Sequence, residues 1–191
     1  MTDALGLTPS QTVGPYLTLG LLDGSPVSSS IVSRDDPRAI VVRGRLLDGN
    51  GDPVPDGMIE FWQANEAGRY AHPADPREDV PLEDGFWGFG RSGTANDGWY
   101  EVVTLKPGRV PAPDGRLQAP HIVVGVFARG LLKRLATRLY FPDEEEANAA
   151  DAVLSELGES ERATLVAQRE DGGLRFDIRL QGSEQTAFFL V

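Results

Sequence analysis

Short stretches of β-branched and aliphatic residues recur along this chain, and turn-forming residues separate them. The stretches cover residues 40–47, 58–63, 99–105, 121–127, 135–141, 175–180 and 186–191. Runs of this length and composition are typical of β-strands, and the Asp, Asn and Gly residues between them are typical of turns. Strands do not alternate with long helices in this pattern. The sequence therefore predicts a mostly β protein, an antiparallel β-sandwich.

Helical signals are confined to the region after residue 141. A helix is predicted over residues 144–157, with Asp143 and Glu146 at the spacing of a capping box and Gly158 at its end. A second helix is predicted within residues 160–168. We expect these one or two helices to lie at the periphery of the sandwich.

The first twenty residues have no periodic pattern. Pro9, Gly14 and Pro15 disfavour both a helix and a central strand. Residues 1–20 are therefore predicted to form an extended N-terminal arm that ends in a short turn. Because no repeat, linker or low-complexity segment follows, we expect a single domain over residues 1–191, with its β-sandwich core at residues 39–191.

Composition narrows the possible functions. The 191 residues carry a formal net charge of −11, so the chain lacks the basic surface that nucleic acids or anionic membranes require. One or two local arginines could still attract a small anionic substrate. The absence of cysteine excludes disulfides and thiolate chemistry and fits a reducing compartment. Without a signal-peptide pattern or a membrane-spanning stretch, we expect a cytoplasmic protein.

Several segments occur together in an order that is specific to one family. They are QTVGPY (11–16), GRLLDGNGDPVPDG (44–57), IEFWQAN (59–65), GRY (68–70), FGR (89–91), KPG (106–108), APHI (119–122) and LYF (139–141). Each segment alone is weak evidence. The ordered set resembles the intradiol ring-cleavage dioxygenase family, and within it the protocatechuate 3,4-dioxygenase branch, over roughly residues 8–190. The resemblance implies an oxidoreductase that cleaves an aromatic diol with O₂.

Members of this family bind a ferric ion through two tyrosinates and two histidines, ligands that suit the hard Fe(III) ion. The resemblance places the four ligand positions at Tyr70, Val110, His121 and Val123. Valine has no donor atom, so we expect no metal site and no catalytic residue in this chain. For His121, the alternative to an iron ligand is a partly buried histidine with hydrogen-bonded ring nitrogens.

The protocatechuate 3,4-dioxygenase branch has an iron-binding β subunit and a homologous α subunit with a degenerate site. The N-terminal arm and the FARG segment (127–130) of this chain resemble the α subunit. The resemblance therefore implies a higher-order α/β oligomer, with Fe(III) in the partner β subunit and the aromatic substrate at the interface. It assigns Thr12, Gly14, Pro15 and Tyr16 to the pocket wall and Arg129 to the substrate entrance.

Alternatives remain for the arginines near residue 130. Arg129 could instead pair with a surface carboxylate, since the chain is acidic. Arg134 and Arg138 fall on the same stretch and are weaker candidates for the pocket.

Two other functions are compatible with parts of the sequence. A self-sufficient homodimeric dioxygenase for catechol or hydroxyquinol would carry a helical N-terminal dimerisation domain and all four ligands, and this chain shows neither. A non-enzymatic transthyretin-like binding module would share the pattern of residues 44–54 but not the QTVGPY and APHI segments. Under any of these functions, we expect the three tryptophans to fill the core or an interface: Trp62, Trp87 and Trp99.

Overall fold

The computed structural model describes residues 9–22 and 27–190. Its elements in chain order are α1 Tyr16–Leu21, β1 Ile40–Leu47, β2 Met58–Trp62, β3 Phe89–Gly93, β4 Trp99–Thr104, β5 His121–Phe127, β6 Leu135–Tyr140, α2 Glu145–Ala149, α3 Ala152–Ser155, α4 Glu159–Ala163, β7 Gln168–Glu170, β8 Gly173–Arg175 and β9 Ile178–Arg179. Strands account for most of the regular structure. The mostly β fold predicted from the sequence is confirmed.

The strands form two sheets that pack face to face. One sheet has the order β4-β1-β8-β7, with β9 also paired to β1, and the other has the order β3-β2-β5-β6. The second sheet is antiparallel throughout. Apolar side chains from both sheets form the core between them, including Val42 and Leu46 of β1 and Ile122, Val124 and Val126 of β5.

Strand β5 contributes to both the core and the candidate site. Its even-numbered side chains, such as Ile122 and Val124, are fully buried in the core. Successive side chains on a strand point to opposite faces, so His121 and Val123 lie on the face of the sheet away from that core. This outer face carries the site described below.

The C-terminal strands depart from the antiparallel prediction. Both β8 and β9 run parallel to β1, through pairs such as Val42 with Leu174. Between β8 and β9, which lie along the same edge of β1, Phe176 packs against Gly44, where a Cβ would overlap the carbonyl oxygen of Phe176. The continuous strand predicted over residues 175–180 is therefore wrong, because residues 176 and 177 are not part of a strand.

The helices after β6 are shorter and more numerous than predicted. In place of one long helix there are α2 and α3, because the buried Asp151 carboxylate accepts hydrogen bonds from the first backbone N–H groups of α3 and caps a new helix there. The predicted capping box is wrong. Asp143 forms an ion pair with Lys106 at 2.8 Å instead, and α2 has no side-chain cap. The predicted second helix is the short α4.

Both ends of the described chain also differ from the prediction. Helix α1 begins directly after Pro15, where a short turn was predicted, because the fixed φ of proline suits the start of a helix. Residues 186–190 form no strand and contribute one isolated bridge, from Phe189 to Ala136. Residues 1–8 of the predicted arm and Val191 lie outside the described residues. The single domain over residues 1–191 stays a prediction.

Two strands, β3 and β7, were not predicted.

Within the described ranges, no helix has both the length and the hydropathy needed to cross a membrane.

Candidate functional site

Tyr70 and Val110, two of the predicted ligand positions, lie on loops that glycines bring together. Gly68 has a φ of +80°, and a Cβ at this position would overlap the carbonyl oxygen of Arg109. A Cβ at Gly108 would likewise overlap the carbonyl oxygen of Glu66, in the turn that contains Gly68. Only residues without a Cβ allow this approach of the two backbones. Tyr70 and Val110 consequently line one cavity of about 310 Å³.

Tyr70 is held by contacts of both its ring and its backbone. It stacks on the indole of Trp62, with ring centroids 5.6 Å apart and planes 10° from parallel. Its backbone N–H donates to the carboxylate of Asp75 at 2.9 Å, and Asp75 is ion-paired with Arg77. Burial raises the pKa of the Tyr70 phenol, and the charges of Arg138 and Arg77 oppose the rise. The phenol is therefore neutral near pH 7 in the metal-free chain.

His121 and Val123 lie in a regular array on the outer face of the second sheet. The register places His121 opposite Tyr140, and Val123 opposite Arg138 on one side and Trp62 on the other. Directly opposed residues of neighbouring strands project from the same face. A row of Trp62, Val123 and Arg138 thus crosses three strands at the position where the second histidine ligand was expected.

His121 is 5% exposed. Its Nδ1 lies 2.8 Å from the carbonyl oxygen of Ala119, and its ring is 5.6 Å from that of Tyr140. Burial, with the positive charge of Arg138 as the second cause, lowers the pKa of His121 to about 4. The imidazole is therefore neutral near pH 7. It matches the predicted alternative in part: Nδ1 is hydrogen-bonded, but the ring is buried rather than partly buried.

These residues do not fit a ferric ion. Val110 is 3% exposed, and Val123, like Val110, offers only methyl groups, so half of the ligand set is missing. In the described part of the chain, no three His, Cys, Asp or Glu side chains are grouped so that they could hold a metal. One phenol and one imidazole give Fe(III) only two of the four donors that the family uses.

Arg138 belongs to this site, although the sequence indicated only a weak candidate on the surface. Its Nη1 donates to the side-chain oxygen of Gln118 at 2.8 Å and lies 3.3 Å from the hydroxyl of Tyr140. Alternation along the strand already placed Arg138 and Tyr140 on one face. What the sequence did not give is the register that sets Arg138 beside Val123.

The arm lies against the loop that follows β5. The hydroxyl of Thr12 accepts a hydrogen bond from the backbone N–H of Gly130 at 2.7 Å. Arg129 precedes Gly130 in this loop and is exposed. It forms no ion pair with a carboxylate in residues 9–22 or 27–190, so the surface ion pair considered above is absent there. The structure therefore brings Thr12 next to the loop that carries Arg129.

The remaining arm residues form a turn into α1. The carbonyl of Gly14 accepts a hydrogen bond from the N–H of Leu17 at 3.0 Å, and this bond encloses Pro15 and Tyr16. Tyr16 is 81% exposed. The phenol is thus presented at the surface of the chain by a backbone that proline makes rigid.

The tryptophans differ in burial. Trp62 and Trp99 are half-buried, and Trp99 packs under the guanidinium of Arg175 at 4.3 Å. Trp87 is 75% exposed, so it does not fill the core. Its place in an interface stays a prediction.

Comparison with known proteins gives consistent matches. Residues 14–182 match a family model described as "Dioxygenase". The protocatechuate 3,4-dioxygenase alpha chain of Burkholderia cepacia is 43% identical, over 96% of this chain and 97% of that protein. The beta chain from Burkholderia cepacia is 36% identical, over 88% of this chain and 75% of that protein. Both identity and coverage are higher with the alpha chain.

A solved structure supports the same architecture. The dioxygenase domain of a dioxygenase carbohydrate-binding protein fusion from Streptomyces sp. SirexAA-E superposes with a TM-score of 0.59 at 24% identity. The match covers 92% of this chain and 100% of that domain. At this level of identity the likeness concerns the fold.

Proposed function

This chain belongs to the intradiol ring-cleavage dioxygenase family, and from that premise we propose that it is the iron-free α subunit of an α/β protocatechuate 3,4-dioxygenase. The complex would cleave 3,4-dihydroxybenzoate between its two hydroxyl-bearing carbons. Both atoms of O₂ enter the product, 3-carboxy-cis,cis-muconate. The higher identity to the alpha chain than to the beta chain supports the assignment.

The observation that carries this proposal is the pair of valines at ligand positions. Val110 lines a cavity with Tyr70, and Val123 lies on the same face of β5 as His121. Proteins of this family depend on non-haem Fe(III), which this chain cannot hold with two donors. We therefore assign the iron to a homologous β subunit, and no step of the reaction to the degenerate site of this chain.

The role that we propose for this chain is to form part of the substrate pocket at the subunit interface. Gly14 and Pro15 present the Tyr16 ring on a rigid turn, so little conformational entropy is left to lose on binding. A phenol has an apolar face and one hydroxyl, which suit an aromatic carboxylate with ring hydroxyls. The hydrogen bond from Gly130 to Thr12 supports this role, because it fixes the arm near Arg129.

Arg129 is proposed to attract the substrate carboxylate. It is an exposed cation in a chain of net charge −11, and it has no described counter-ion. A local positive charge of this kind raises the concentration of a small anion near a pocket even when the whole protein is acidic.

Expression with and without a homologous β chain tests the proposal. Purified alone, this chain should be colourless, inactive and free of stoichiometric iron. With the β chain it should form a complex with a large interface, above the ~2,000 Å² typical of obligate pairs. That complex should contain iron in proportion to the β chain and show the burgundy colour of tyrosinate bound to Fe(III). Stoichiometric ferric iron in the isolated chain would refute the assignment, as would a stable monomer in the presence of the β chain.

The other functions have less support. A self-sufficient homodimer would need four ligands on this chain. A transthyretin-like binding module does not account for the family match over residues 14–182. The proposed location of the protein is the cytoplasm, since the absence of cysteine fits a reducing compartment.

A further inference from the structure

The degenerate site contains a cation that belongs to the protein itself. Arg138 is half-buried and stands opposite Val123, the position of the missing histidine ligand. We infer that the guanidinium of Arg138 takes the place of the metal and excludes metal cations from this chain. The inference rests on the ligand positions assigned under the proposed function. The inference adds to the loss of two ligands a second obstacle to metal binding. It predicts that restoring the ligands alone does not restore metal binding.

A hydrogen-bond network holds Arg138 at this position. Its Nη1 contacts the Gln118 side-chain oxygen at 2.8 Å and the Tyr140 hydroxyl at 3.3 Å. The Tyr140 hydroxyl lies 3.3 Å from one carboxylate oxygen of Asp151, and the other oxygen accepts the N–H of Ala119 at 2.8 Å. Asp151 and Tyr140 are buried, so the guanidinium is anchored to a rigid part of the fold rather than free to swing away.

The charge of Arg138 lies beside the two ligand positions on β5, His121 and Val123. The arginine side chain carries a positive charge and offers only hydrogen-bond donors. Its Nη1 lies 3.3 Å from the hydroxyl of Tyr140, whose ring centroid is 5.6 Å from that of His121, and Arg138 stands directly opposite Val123. A metal ion held by His121 and a ligand at position 123 would therefore meet a fixed positive charge at short range.

Restoring one ligand gives the first test. Val123 is half-buried, so Val123→His (V123H) should be accommodated and would offer three donors together with Tyr70 and His121. The isolated V123H and V123H/R138Q chains are titrated with Co(II) and followed by visible absorption. We expect V123H to bind Co(II) at least about a hundredfold more weakly than V123H/R138Q, because a unit charge a few ångströms from a divalent cation is strongly repulsive at an effective dielectric constant of about 20.

Arg134 provides a matched control. It is exposed and lines the same cavity as Val123, but it is not opposite Val123 in the strand register. V123H/R134Q loses the same charge as V123H/R138Q and should bind Co(II) as weakly as V123H. Tight binding by V123H, or equal recovery with R134Q, would overturn the inference. So would a folded V123H/R138Q chain that binds no Co(II). If R138Q unfolds the chain, V123H/R138M removes the charge while keeping the packing of the arginine stem.

A second pair of variants uses iron. V110Y/V123H/R138Q should take up Fe(III) and become coloured, whereas V110Y/V123H should not, as measured by metal analysis and visible absorption on chains whose folding is verified by circular dichroism. Val110 is 3% exposed, so a tyrosine at this position must displace its neighbours. The Co(II) variants keep Val110, and their result therefore does not depend on whether this tyrosine is accommodated. Iron binding by V110Y/V123H would overturn the inference and leave the proposed function intact. Iron binding by the unaltered chain would overturn the proposed function.

Discussion

Replacing Tyr16 with alanine tests the proposed pocket directly. The side chain is 81% exposed, and its hydroxyl has no hydrogen-bond partner in the described residues. Truncation therefore removes little from the fold of the isolated chain, and its free energy of unfolding should change by less than about 0.5 kcal/mol, as for an ordinary surface substitution. Any larger effect in the αβ complex then reports contacts that Tyr16 makes only there.

The expected effect in the complex follows from the contacts that one phenol can make. One net hydrogen bond contributes roughly 1 kcal/mol, and partial packing of the ring against an aromatic substrate brings the total to about 1–2 kcal/mol. This corresponds to a rise of roughly 5- to 30-fold in KM for 3,4-dihydroxybenzoate. The contact binds the ground state and the transition state alike, so kcat should change little.

Steady-state kinetics and iron quantification on the same preparation provide the assay. Tyr16→Phe is the matched control, because it keeps the ring and removes only the hydroxyl; its KM should rise about fivefold, the equivalent of one net hydrogen bond. An unchanged KM for Tyr16→Ala in an intact complex would remove Tyr16 from the pocket. A loss of iron would mean instead that the arm supports the metal site of the partner.

Four further predictions concern other parts of the chain. Gly14→Ala should leave the melting temperature of the isolated chain unchanged, because no described atom lies within 4 Å of the added Cβ, and should raise KM in the complex; a matching loss of chain stability would contradict this. Arg129→Gln should raise KM for 3,4-dihydroxybenzoate by about tenfold, the scale of a charge-assisted hydrogen bond, and should affect catechol, which lacks the carboxylate, much less; equal effects on both substrates would exclude carboxylate recognition. His121 has a folded pKa of about 4 against a reference value of 6.5, so the unfolded state binds more protons between these values and the free energy of unfolding should fall by up to about 3 kcal/mol as the pH drops from about 6.5 to about 4. Thermal melts across this range should show a shallower dependence for His121→Gln, and equal slopes would argue against a buried neutral imidazole. Tyr100→Phe should lower the free energy of unfolding by about 1–2 kcal/mol, measured by urea denaturation, because the Tyr100 hydroxyl donates to the Phe176 carbonyl in the core.

The sequence predicted correctly the strands that consist of β-branched and aliphatic residues between turns. β1 and β5 begin and end at the predicted residues, because buried β-branched runs bounded by turns determine both type and length. β3 escaped prediction, since FGRSG has little strand propensity and forms a strand only by pairing with β2. The parallel direction of β8 could not be predicted from the sequence either, because strand direction is decided by tertiary pairing.

The residues of the candidate site also fall into two groups, those that local motifs predict and those that only tertiary pairing brings together. Tyr70, Val110, His121 and Val123 could be assigned from short motifs, because each motif is local. The importance of Arg138 depends on its register with Val123, which connects separate strands. The hydrogen bond between Thr12 and Gly130 joins residues 118 positions apart, and no local pattern encodes it.

The parallel pairing of β8 and β9 with β1 also affects how the chain is made in the cell. During synthesis, the edge of β1 opposite β4 has no partner until residues 173–179 have left the ribosome, and the hydrogen bond from Arg45 to Asp177 joins positions 132 residues apart. Until then the nascent chain exposes unpaired backbone groups beside the apolar Val42 and Leu46, an edge that readily pairs with other chains. We expect a chain truncated before residue 173 to aggregate rather than to fold as a smaller sandwich. The yield of native protein should therefore depend on chaperones that protect this edge until residues 173–179 have been translated.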